Sequence, residues 1–109
     1  MNRMDDIEIS AKETHALWKR GAVKLLDVRT EEERRIAVIE GVPIVDMALA
    51  QQMIQSWPKD TAIVLHCHHG IRSLDAAAYF MREGFTNVKS MTGGIDAWTS
   101  EVDPSIPRY

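Results

Sequence analysis

A chain of 109 residues, 45% hydrophobic and 27% charged, has the size and make-up of one globular domain with a substantial core. Its formal net charge of -3 gives no general attraction for nucleic acid or anionic lipid, and no apolar run is long enough to span a membrane. A single cysteine excludes an internal disulfide, and residues 1–6 lack the apolar run of a secretory leader, so the expected setting is reducing and cytoplasmic.

Ile7-Glu8-Ile9 alternates as a short strand does. Ser10-Ala11-Lys12-Glu13 is a capping box that predicts a helix to Arg20, stopped by Gly21. Val23-Lys24-Leu25-Leu26 reads as a second strand, ending at Asp27-Val28-Arg29. Thr30-Glu31-Glu32-Glu33 is a second capping box, opening a short helix with acids at its positive end. Glu40-Gly41-Val42-Pro43 turns the chain into the brief apolar segment Ile44-Val45. Asp46 is placed to cap a helix carrying Met47, Ala50, Ile54 and Trp57, which Pro58 ends.

The run Thr61-Ala62-Ile63-Val64-Leu65 predicts a buried strand. Beyond the loop that follows, a helix is expected with Leu74, Ala77, Ala78 and Met81 on its inner face and Gly84 as its stop. Residues 88–91 read as a last strand, Gly93-Gly94 as a break, and Ile95 and Trp98 as the buried side of a short helix. The tail, residues 99–109, contains two prolines and is expected to be extended. Strands alternating with helices predict an α/β domain, a doubly wound parallel sheet with helices on both faces. Ligands in such sheets bind beyond the carboxyl ends of the strands, where Asp27-Val28-Arg29 and His66-Cys67 would share one rim.

The only cysteine sits in His66-Cys67-His68-His69-Gly70-Ile71-Arg72-Ser73, between a strand and a helix N-terminus. Unpaired helix amides, the partial positive charge there and the nearby Arg72 all favour thiolate over thiol. The expected pKa is therefore below the roughly 8.5 of a free cysteine. The amides of residues 68–72 can ring an anion, Gly70 allows the backbone to close, and Ser73 suits the first turn of the helix. An inert buried thiol is the plain alternative. A metal is not expected: His66, Cys67, His68 and His69 are consecutive, their side chains diverge, and His15 is the only other histidine. Asp27 reads as a structural carboxylate, Trp18, Trp57 and Trp98 as packing residues, and residues 31–35 as a solvated face.

Cys67-His68-His69-Gly70-Ile71-Arg72-Ser73 resembles the C-x-x-G-x-R-S loop of single-domain rhodaneses, the thiosulfate sulfurtransferase family. Leu25-Leu26-Asp27-Val28-Arg29, Ile39-Glu40-Gly41-Val42-Pro43-Ile44 and Gly93-Gly94-Ile95-Asp96-Ala97-Trp98 resemble three further landmarks of that family, in order. Val38 and Val42 stand where the family often has His and Ala. The resemblance covers residues 7–98 of a single domain spanning 1–109. It implies the rhodanese-like doubly wound sheet and a double displacement with no cofactor. Cys67 would take a sulfane sulfur from a donor such as thiosulfate and pass it to cyanide in assays, or to a thiol or protein in the cell. Within the loop, the resemblance assigns Cys67 to catalysis and His68, His69, Gly70, Ile71, Arg72 and Ser73 to substrate binding. It also suggests that Arg29 pairs with Glu33 or another acid at the rim.

The loop is also similar to the H-C-x5-R-[ST] loop of cysteine phosphatases and arsenate reductases. Here four residues, not five, separate Cys67 from Arg72, and the smaller ring suits one sulfur atom better than a tetrahedral phosphate. A non-catalytic regulatory module is the other alternative, although such modules commonly lack the cysteine. The partners expected are a small sulfur donor and a thiol or protein acceptor, with no nucleic acid, no membrane, and a monomer or weak homodimer.

Overall fold

Strands β1 (Glu8–Ile9), β2 (Lys24–Asp27), β3 (Ile63–His66) and β4 (Val88–Met91) pair in parallel in the order β1-β4-β3-β2. The computed structural model describes residues 7–109, so the reading of residues 1–6 falls outside the described residues. All four β3 residues are buried, as expected for a strand covered on both faces. Register sets Leu25 beside Val64, Leu26 beside Leu65 and Asp27 beside His66. Successive side chains point to opposite faces. Leu25, Val64 and Met91 therefore join a core with Ile95 and Trp98, while Leu26, Ile63, Leu65 and Val88 join another with Met53, Ala77 and Phe80. Helices α1 (Ala11–Lys19) and α5 (Gly94–Glu101) cover the first face. Helices α3 (Met47–Ser56) and α4 (Ile71–Arg82) cover the second. The short α2 (Glu31–Ile36) buries none of its residues and lies at the carboxyl rim.

The caps form where the sequence places them. Ser10 and Asp46 accept the amides of Glu13 and Leu49, and Thr30 and Glu33 close a full reciprocal box. Three expectations need correction. Helix α4 begins at Ile71, a turn earlier than expected, and buries Ser73, Ala77 and Phe80 while Met81 is 42% exposed. Its phase is set by Ser73, which turns toward Cys67. In α3 the buried residue is Met53, and Met47 is exposed. The tail over residues 99–109 is not extended. Helix α5 continues to Glu101, and the Asp103 carboxylate then accepts the amide and hydroxyl of Ser105. That turn accommodates Pro104 and folds Ile106 back into the core.

The rim is tied by charge. Asp27 is fully buried and accepts the Arg29 amide at 2.8 Å, Arg29 Nη2 at 2.8 Å and Arg34 Nη1 at 3.1 Å. Arg29 reaches on to the Ala37 carbonyl, and Arg34 to the Val42 carbonyl. One carboxylate thus fastens the entire crossing from β2 to residue 42. The Asp27 amide and carbonyl also bond Pro43 and Val45, which adds a single bridge at Ile44 to the edge of β2. Burial alone would raise the Asp27 pKa, but the Arg29 hydrogen bonds and the surrounding charges bring it below its ordinary value.

Replacing one partner strands the other charge in the interior. Arg29→Met is expected to cost about 3–5 kcal/mol in urea unfolding, and a loss within experimental error would contradict this account of the rim. His66, also fully buried, stands 3.8 Å from Asp27, and burial holds its pKa at about 4 against an ordinary 6.5. The unfolded chain therefore takes up a proton that the folded chain refuses. Stability should be complete above about pH 6.5 and fall by on the order of 3 kcal/mol as the pH drops to about 4. His66→Asn should flatten that window in unfolding measured against pH, and an unchanged slope would remove His66 as its source.

Candidate active site

Strand β3 carries His66 and Cys67 to the carboxyl rim, and Gly70 then caps α4 with φ +102°. A side chain disfavours that conformation, and a Cβ on Gly70 would come within 3.1 Å of the Gly93 amide nitrogen. The closed loop aims the Gly70 amide at Cys67 Sγ from 3.1 Å and the Ser73 amide from 3.3 Å. Ser73 Oγ lies 3.4 Å from the same sulfur. From the far side, the start of α5 binds the loop carbonyls: Ile95 donates to Cys67 and Asp96 to His68. Gly94 permits this approach, since a Cβ there would sit 2.5 Å from both carbonyl oxygens. With its carbonyls held outward, the loop turns its amides inward around the sulfur, the nest geometry suited to an anion.

Cys67 is 1% exposed, and burial by itself would push its thiol up. The Ser73 hydroxyl and the amides of Ser73, Gly70 and His69 outweigh burial and bring the pKa below its ordinary value. The site can therefore hold a negatively charged sulfur inside the protein.

The other loop residues divide. Arg72 forms a two-pronged pair with Glu33, at 2.6 and 2.8 Å, and so binds α2 to the cysteine loop. Glu33 also accepts the Tyr109 hydroxyl at 2.6 Å, and the Arg72 hydrogen bonds hold its carboxyl far below the usual range. Of the acids expected at the rim, Glu33 or another, Arg29 pairs with Asp27, two residues before it, where both are buried. Its Nη1 reaches the Tyr109 oxygen at 3.0 Å. His68 is sandwiched between His69, 3.8 Å away, and the near-parallel ring of Tyr109 at 3.9 Å. Ile71 points outward and is 74% exposed. His66 is fully buried beside Asp27, its Nε2 3.8 Å from that carboxylate and without a hydrogen bond among the described residues, and its Nδ1 lies 3.3 Å from the Cys67 carbonyl, which calls for a proton on Nδ1. Among the described residues no group of three or more His, Cys, Asp or Glu side chains could hold a metal ion. No helix among them is long and apolar enough to cross a membrane.

Three residues at the site escape a reading by motif. Glu33 reads as a capping-box acid, and it does cap, but the same carboxylate secures Arg72. Tyr109 stands 80 residues from Arg29 in the chain and carries no local pattern that would place it there. Ser90 left a usable trace: a hydroxyl in the run Val88-Lys89-Ser90-Met91, at a position where a covered strand needs an apolar residue or a bonded polar one. It meets Ser73 Oγ at 2.7 Å.

Comparison with known proteins agrees with this geometry. The family description "Rhodanese-like domain" matches residues 10–101. A thiosulfate sulfurtransferase GlpE of Pseudomonas aeruginosa is 32% identical over 92 residues, which are 84% of this chain and 83% of that protein. A sulfurtransferase of Allochromatium vinosum is 37% identical over 84 residues, 77% of this chain and 78% of that protein. In fold, the human single-domain sulfurtransferase TSTD1 superposes with a TM-score of 0.74 at 21% identity, covering 86% of this chain and 96% of that one. Matched over most of its length by the family and by relatives of similar size, the chain belongs to the rhodanese-like domain family and is a rhodanese-type transferase.

Proposed function

We propose that the protein transfers a sulfane sulfur from a small donor such as thiosulfate to a thiophilic acceptor through a persulfide on Cys67. The observation that carries this reading is the sulfur held by the Gly70 and Ser73 amides at the N-terminus of α4. Attack requires a thiolate, and these donors lower the cost of one. The Cys67 sulfur forms a bond to the outer sulfur of thiosulfate. The donor's S–S bond breaks, and its electron pair leaves with sulfite. The enzyme retains the outer sulfur as a persulfide anion. Cyanide carbon, or the thiolate of a thiol acceptor, then bonds to that sulfur, and the Cys67 thiolate leaves unchanged.

The new negative charge lies over the loop, where the amides that held the thiolate remain directed. Neither half-reaction requires a general base, in keeping with a buried His66 held neutral near pH 7. The relatives named as sulfurtransferases support the reaction class. Arg72 bears a permanent charge, but Glu33 already occupies its fork. Its proposed part is to keep the loop in place and to lend positive potential to an incoming anion.

Thiocyanate formation from thiosulfate and cyanide tests the proposal. Wild type should show double-displacement kinetics, and Cys67→Ser should lose at least about 10⁴-fold in kcat/KM. Substantial activity in that variant would remove Cys67 from the mechanism. If neither protein transfers sulfur from thiosulfate or a persulfide, while a partner protein still binds, the regulatory module takes precedence. Arg72→Ala should raise KM for the thiosulfate dianion more than for a less highly charged persulfide donor, whereas equal losses would leave Arg72 a purely structural tie.

A further inference from the structure

Ser90 lies in central strand β4, is 1% exposed, and has no place in the sulfur chemistry described above. Its oxygen is 2.7 Å from Ser73 Oγ and 3.4 Å from the Gly70 carbonyl oxygen. Ser73 Oγ is in turn 3.4 Å from Cys67 Sγ, and Ser73 is also fully buried. Sulfur and two hydroxyls thus form a closed line inside the protein, contributed by the end of β3, by α4 and by β4.

Each hydroxyl has one proton to donate, so the line can run in two directions. With a thiol, Cys67 donates to Ser73, Ser73 to Ser90, and Ser90 to the Gly70 carbonyl. With a thiolate, Ser73 must turn its proton to the sulfur. Its oxygen is then open to a donor, and Ser90 is the hydroxyl in position. The thiol proton leaves to water, and none passes along the line. The Gly70 carbonyl still accepts the first helical bond of α4.

We propose that Ser90 is a positioning residue for the nucleophile: its hydroxyl donates to Ser73 when Cys67 is ionised, and so fixes the Ser73 proton on the sulfur. This rests on the reading of Cys67 as the nucleophile. The sign follows from the two directions. Removing Ser90 deprives the thiol of two neutral hydrogen bonds, one of them the long 3.4 Å contact to the Gly70 carbonyl, and the thiolate of one. The bond lost from the thiolate outweighs them, because it supports a charge-assisted neighbour in a chain of donors. The thiolate loses more, and the thiol is harder to ionise.

The charged and titratable groups on the surrounding elements include His66 on β3, His68 and His69 in the loop, Arg72 on α4 with its partner Glu33 on α2, Asp96 on α5, and Tyr109. Lys89 adjoins Ser90 on β4 but points to the opposite face. Among the described residues the Ser90 hydroxyl bonds Ser73 Oγ and the Gly70 carbonyl, so its removal acts on the line itself.

The test is the rate of Cys67 alkylation by iodoacetamide against pH. It reads one thiol, because the chain has one cysteine. Ser90→Ala is expected to raise the midpoint by about half to one pH unit, and Ser90→Thr to restore it. In a Ser73→Ala background, Ser90→Ala should add little, since the line is already cut. An unmoved midpoint in Ser90→Ala overturns the proposal. So does an equal rise in Ser90→Thr, which would assign the effect to packing. If Ser90→Ala does not fold, wild type labelled at serine decides: the Ser90 Cβ resonance should move at the Cys67 midpoint and stay still in Cys67→Ser. A resonance that stays still in wild type overturns the proposal. Alkylation needs no sulfur donor. A shifted midpoint without sulfur transfer would therefore sink the proposed function and keep Ser90, while sulfur transfer with an unmoved midpoint would do the reverse.

Discussion

The site depends on donors that favour negative charge on a sulfur only 1% exposed. Burial works against ionisation, and three kinds of donor offset it: two amides within 3.3 Å, a hydroxyl, and the positive end of α4. Those donors converge only because the backbone closes in a tight loop. That in turn requires the left-handed Gly70 and the near contact at Gly94, where a side chain would strike the Cys67 and His68 carbonyls. The parallel sheet brings the ends of β3 and β4 together at that point, and the N-termini of α4 and α5 approach the same eight residues from opposite sides. Fold and chemistry meet in the geometry of one loop.

Around the sulfur, charge is paired off. Beneath the rim Asp27 takes two arginines, and a neutral His66 fills the space beside it. Above it Arg72 is occupied by Glu33, to which Tyr109 also donates. The loop therefore depends more on fixed amides and hydroxyls than on a free cation. Fixed dipoles need no reorganisation if, as proposed, charge moves from thiolate to persulfide. The rings of His69, His68 and Tyr109 stack on one another, and Ile71 in the first turn of α4 is exposed.

Much of this was legible from residue order. Apolar runs located the strands, and capping residues located the starts of α1, α2 and α3. The failures share a physical cause. The inner face of α4 is decided by Ser73 turning to the sulfur rather than by the most apolar stripe, so Leu74 and Met81 misled. Two prolines suggested an extended tail, but Asp103 closes a turn around the first of them and Ile106 finds the core. Only tertiary structure brings Arg72 to Glu33, 39 residues away. Local pattern registers caps and periodicity. Pairings across long loops are settled by packing.

The central claim is that Cys67 takes up a single sulfur atom and gives it away. Intact mass after incubation with thiosulfate, then after addition of cyanide, tests it most directly. The account predicts a gain of one sulfur atom located at Cys67, lost again as thiocyanate appears in equal amount. A protein that keeps its original mass with thiosulfate and with persulfide donors, while its cysteine is intact and reactive to alkylation, would contradict it.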